Sequence, residues 1–231
     1  LAIDHTVYTV DLLGCGRSDK SSITYTNFVY VQMISDFIKK IIGQKTDVIA
    51  SGFSGSFVTM ACHNEKELFN KIMLVNPPSL TQLKQMLNRK DRLLKAALEI
   101  PIFGTLVYHM IVSRDNINNL FIEKMYYNPF HVDNQMADAY YEAAHKGGYY
   151  TRFLYSSLAA KYININICHA LKALDNSIYI VEGETEPNGK AVTDDYCASN
   201  PAIEVSVLKE TKHLPHVEAP EAFLEQVKIF F

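Results

Sequence analysis

Short apolar runs of β type recur along this chain, separated by longer stretches in which apolar residues return every third or fourth position. The runs are residues 7–12 (VYTVDL), 47–51 (DVIAS), 71–76 (KIMLVN), 177–182 (SIYIVE) and 203–208 (IEVSVL). Each is too short for a helix and rich in β-branched residues, so each is predicted as a strand. Helical spacing predicts helices over 26–42, 55–65 and 220–230. The first is well delimited: Thr26 is placed to cap it, Val31, Ile34, Ile38 and Ile41 share one face, and Gly43 ends it. Strands alternating with helices imply an α/β fold with a doubly wound, mostly parallel sheet.

Residues 79–172 interrupt this alternation. They hold no strand-like run, keep helical spacing, and break at Asn128-Pro129 and Gly147-Gly148. The spacing predicts a helical insertion, giving a core of 1–78 plus 173–231 and a cap over 79–172. Tyr108, Tyr140 and Tyr155 are among its many tyrosines, which predicts a largely apolar roof with a few hydroxyls. Its longest apolar stretch, Leu93 to Val112, carries Lys95, Glu99, Pro101, Gly104 and His109, a poor composition for a membrane span. It reads instead as two short helices broken at Ile100-Pro101.

The 231 residues, 48% hydrophobic, supply one sizeable core. A net charge of −3 with scattered Lys and Arg leaves no basic stripe for nucleic acid. Cys15, Cys62, Cys168 and Cys197 form no C-x-x-C pair, and Cys62-His63 and Cys168-His169 are adjacent rather than spaced as ligands, so no metal set is expected. Reduced thiols in the cytoplasm are the default expectation.

The candidate chemistry begins at Asp47 to Ser56 (DVIASGFSGS), where a β-type run meets a serine with Gly52 and Ser56 two residues to either side. This is the sequence form of a nucleophile elbow, which needs small residues at those flanks. Ser54 satisfies the requirement. Ser51 would have Ile49 and Phe53 there, and Ser56 would have Val58. A base and an acid should follow in the order serine, acid, histidine. The run at 177–182 opens into carboxylates at Glu182, Glu184 and Glu186, with Asp194 and Asp195 beyond; His213 and His216 follow the run at 203–208.

With those segments in place, the chain resembles the α/β-hydrolase superfamily over nearly its whole length, in its cap-bearing, ester-hydrolase-like branch. Asp11, Gly14, Gly16 and Ser18 match a D-x-x-G-x-G-x-S loop, and His213, Glu218 and Pro220 match an H-x-x-x-x-E-x-P ending. The resemblance aligns Glu186 with the acid of a G-E-x-D-P pattern and His213 with the base. The chain departs from the pattern at Lys212, where glycine is usual, and at Glu186, where aspartate is usual. The family has three further strands ahead of residues 7–12, and its third lies between the strands corresponding to 7–12 and 47–51. The chain is therefore expected to be the C-terminal part of a longer product, with any leader peptide out of view.

The resemblance implies serine-dependent hydrolysis of a small, mainly apolar ester or thioester, with no cofactor and no metal. Ser54 would attack, His213 would shuttle the proton, Glu186 would orient His213, and the Gly55 N–H would be one oxyanion donor. The departures leave open a ligand-binding protein with little or no turnover. Acyl transfer, carbon–carbon hydrolysis and cofactor-free peroxidation use the same constellation and also stay open.

Overall fold

The structure, a computed structural model, describes residues 1–231. Four parallel strands form one sheet in the order β1 (Thr46–Ser51), β2 (Phe69–Val75), β3 (Ile178–Gly183), β4 (Glu204–Leu208). Helices α1 (Asn27–Phe37) and α2 (Phe53–Asn64) flank β1 in sequence. Between β2 and β3 lie α3 (Leu80–Leu83), α4 (Arg89–Glu99), α5 (Pro101–Ile111), α6 (Arg114–Leu120), α7 (Asn134–His145), α8 (Thr151–Ala159) and α9 (Cys168–Ala173), with no strand among them. Helix α10 (Gly189–Ser199) links β3 to β4, and α11 (Pro215–Glu218) and α12 (Pro220–Phe230) close the chain.

Strand alternation sorts the core into two layers. Ile72 and Leu74 of β2, with Ile178 and Ile180 of β3, face a cluster containing Tyr30, Phe57, Ala61, Leu171 and Tyr196. Met73, Val75, Tyr179 and Val181 face the other way, onto Phe223 and Val227 of α12. Both faces of the central strands are thus buried, which is why they read as continuous apolar runs. A third cluster joins Ile117, Phe121, Tyr126 and Ala137 of the insertion to Leu214, the residue after His213.

Two expectations need correction. Residues 7–12 form no strand: they make no ladder with any other strand, and Val7, Tyr8 and Val10 are exposed. A β-type run becomes a strand only where backbone partners exist, and propensity cannot supply them. The helix over 26–42 changes character at Ile38, where a π-turn (Ile38–Ile42) runs to Gly43 at φ 72°. Thr26 stands at the N-cap position without a side-chain bond. The break at Ile100-Pro101 is as read: α4 and α5 meet at 96°, and no single helix is long and apolar enough to cross a membrane. All four cysteines are free thiols, and burial pushes Cys62 up to about 12.

Candidate active site

Ser54, Glu186 and His213 each follow the C-terminal end of a strand, the edge at which open parallel sheets place their sites. Glu186 and His213 meet there. His213 Nδ1 is 3.1 Å from Glu186 Oε1 and 3.2 Å from Oε2. That hydrogen bond raises the His213 pKa, with partial burial opposing it. The competing acids point elsewhere: Glu184 Oε2 accepts the Glu210 N–H at 2.9 Å, and Asp194 pairs with Lys190. His216 has no partner for its buried Nδ1, and burial lowers its pKa.

The loop carrying His213 is fixed from several directions. Glu218 accepts the Lys212 N–H at 2.8 Å and the Tyr127 N–H at 2.6 Å, so the glutamate of the H-x-x-x-x-E-x-P ending ties this loop to the insertion. The His213 N–H donates to the Met125 carbonyl at 3.1 Å. Lys212, where glycine was expected, has its carbonyl so close to Gly183 that a Cβ on Gly183 would sit 1.9 Å from it. The close approach permitted by a glycine is therefore met here on the β3 side of the contact.

Asn76, which the sequence reading overlooked, ties these elements together. It is buried, adopts φ 42°, donates from Nδ2 to the carbonyls of Lys212 (2.8 Å) and His213 (3.0 Å), and accepts the Gly183 N–H at 3.0 Å. Its signal was present as Asn76-Pro77-Pro78 directly after an apolar strand. Asparagine tolerates the left-handed region, and prolines forbid the strand's continuation.

The elbow differs from expectation in its register. Helix α2 begins at Phe53, and the residue at the bend is Gly52, with φ 57° and ψ −132°. Ser54 lies in the first turn of α2, where its Oγ donates to the Ser51 carbonyl at 2.7 Å. No hydrogen bond joins it to His213 in this structure. The Gly55 N–H, expected to be an oxyanion donor, instead donates to the Gly52 carbonyl at 3.1 Å, because Gly55 is already within the first helical turn. A Cβ on Gly52 would meet nothing within 4 Å.

A cavity of about 870 Å³ lies between the loop at 14–17 and the insertion, with Tyr108, Tyr140, Tyr155, Val112 and Leu154 among its walls. Neither Ser54 nor His213 lines it. The D-x-x-G-x-G-x-S loop at its base is held by Asp11, whose carboxylate accepts the Arg17 N–H at 2.8 Å and whose carbonyl accepts the Ser18 hydroxyl at 2.6 Å.

Residues 1–226 match the alpha/beta hydrolase family. The chain belongs to that family. Among solved structures the chain is similar to a meta-cleavage product hydrolase from Pseudomonas fluorescens IP01, with TM-score 0.74, 17% identity, and coverage of 96% of this chain and 77% of the other. It is similar to a carboxylesterase structure from the thaumarchaeon Nitrososphaera gargenis, with TM-score 0.67, 15% identity, and coverage of 95% and 77%. A bromoperoxidase from Bacillus anthracis matches with TM-score 0.72, 11% identity, and coverage of 95% and 79%. At these identities the likeness establishes the α/β-hydrolase fold alone. No curated protein matches the sequence.

Proposed function

We propose that this α/β-hydrolase cleaves a small, mainly apolar ester or thioester, with Ser54 as nucleophile, His213 as base and Glu186 as its orienting acid. The observation that carries the reading is the close Glu186–His213 pair at the strand ends, held by Asn76 and Glu218. A carboxylate on Nδ1 fixes the tautomer that leaves Nε2 free to take a proton and stabilises the imidazolium that follows. Ser54 would release Ser51 and turn its hydroxyl toward the base; its attack on the carbonyl, with its proton passing to His213 and on to the departing alcohol or thiol, would give an acyl-enzyme that water then hydrolyses to the free acid and Ser54. The insertion over 79–172 would serve as a cap, and its many apolar and tyrosine side chains favour an apolar substrate.

A second reading, a small-ligand-binding protein with little or no turnover, is favoured by one observation: the bend of the elbow belongs to Gly52, which has no side chain to offer. One experiment separates the two. A fluorophosphonate probe and a short-chain aryl ester are presented to the wild type, Ser54→Ala and Gly52→Ser. Labelling and turnover that vanish in Ser54→Ala support the first reading. An inert wild type that gains labelling at position 52 in Gly52→Ser supports the second.

A further inference from the structure

Helix α4 buries Leu98 together with Asp91 and Lys95, the two charges satisfied by ion pairs to Lys161 (3.3 Å) and Glu99, while Leu93 is 70% exposed and Leu94 is exposed beside it. The following helix is apolar nearly all round, yet only Gly104 and Tyr108 of α5 are buried. Ile102 is 85% exposed and Met110 63%, with Phe103 and Leu106 exposed between them. Two consecutive helices thus turn large apolar side chains outward. The charge on this surface has one sign: among residues 80–111 the exposed charged side chains are Lys84, Arg89, Lys90 and Arg92. Arg89 and Lys90 stand one turn before Leu93 and Leu94 on the same outward face of α4.

We propose that the outward face of α4 and α5 docks onto an anionic lipid surface. Acidic side chains on the face would oppose that, and the two available, Asp91 and Glu99, are directed inward into ion pairs. Long basic side chains beside leucines suit this setting, because their stems lie along apolar surface while the charged ends reach the headgroups. The sharp break at Pro101 brings two helical faces to the same contact rather than one helix through a bilayer. Basic residues near an anionic surface each strengthen attachment severalfold, and apolar side chains at the acyl boundary supply the remainder. This inference does not depend on which residue is the nucleophile.

The test is co-sedimentation of the full chain with vesicles of phosphatidylcholine alone and of phosphatidylcholine mixed with phosphatidylserine. The wild type is expected to sediment with the anionic vesicles, less so as salt rises. Arg89→Gln/Lys90→Gln should weaken this roughly thirtyfold. Ile102→Glu/Phe103→Glu should reduce it at least tenfold, with an unchanged cooperative melt as control for folding. Absence of wild-type binding to anionic vesicles overturns the proposal, as does binding that either pair of substitutions leaves intact. A dimer in light scattering that Ile102→Glu/Phe103→Glu dissociates, without vesicle binding, assigns the face to a second copy of the chain instead.

Discussion

The two sides of the candidate site are held in place very differently. On the His213 side, side chains from just beyond β2, just beyond β3 and the end of α11 converge: Asn76 grips the backbone of Lys212 and His213, Glu186 meets the imidazole itself, and Glu218 grips Lys212 and Tyr127. On the Ser54 side, the turn is held by the main chain and by two local bonds, from the Ser54 hydroxyl to the Ser51 carbonyl and from the Ser56 hydroxyl to the Phe53 carbonyl. A side chain with several distant partners has its position determined by the fold. A serine bonded three residues back, to the last residue of β1, has its position determined by the local turn. Positioning a base to within a fraction of an ångström requires the first arrangement.

The strongest way to break this comparison is to remove the convergent side. Glu186→Gln should lower ester turnover by about 10⁴, the scale of the corresponding change in a related triad, while Glu184→Gln should leave it nearly unchanged. Steady-state kinetics on both variants checks this, and equal effects would mean that Glu186 does not orient the base. Asn76→Ala should cost about 2–3 kcal/mol of stability, because it strands one buried N–H and two part-buried carbonyls, and should lower turnover through misplacement of His213. Urea denaturation read beside kcat separates the two effects.

A subtler measurement is the pH profile. The hydrogen bond to Glu186 raises the His213 pKa above its ordinary ~6.5, so the base is neutral only at higher pH. The acidic limb of kcat/KM should therefore lie above pH ~6.5 and move down in Glu186→Gln. The same shift favours the charged imidazole in the folded chain. Its stabilising contribution is complete below pH ~6.5 and is lost as pH rises through the raised value. The smallest expected effect sharpens the contrast: Ser54→Ala should change stability by less than about 1 kcal/mol, since it removes one local bond near the start of a helix. A large loss would show that the serine is part of the framework.

The same difference explains what could be read in the sequence. The β2 and β3 runs and the helical character of 79–172 were legible, because apolar periodicity is a local signal, whereas Glu186 and His213 were singled out among several carboxylates and two histidines only by the family resemblance. The bend was not. The pattern G-x-S-x-S centres attention on Ser54, but the chain turns where a residue adopts positive φ, and here Gly52 does so, two positions earlier. Residues 7–12 misled for the opposite reason: their composition suits a strand, and pairing is a property of neighbours. Asn76 stayed hidden because its partners lie more than a hundred residues away in the chain, at Gly183, Lys212 and His213.

The bond from the His213 N–H to the Met125 carbonyl has a mechanical consequence. The loop bearing the imidazole and the helical insertion are stitched together, so a displacement of the 123–127 segment wide enough to admit a ligand must either sever that bond or drag the imidazole with it. If His213 acts as the base proposed above, any opening at 123–127 and proton transfer would occur in separate configurations of the molecule.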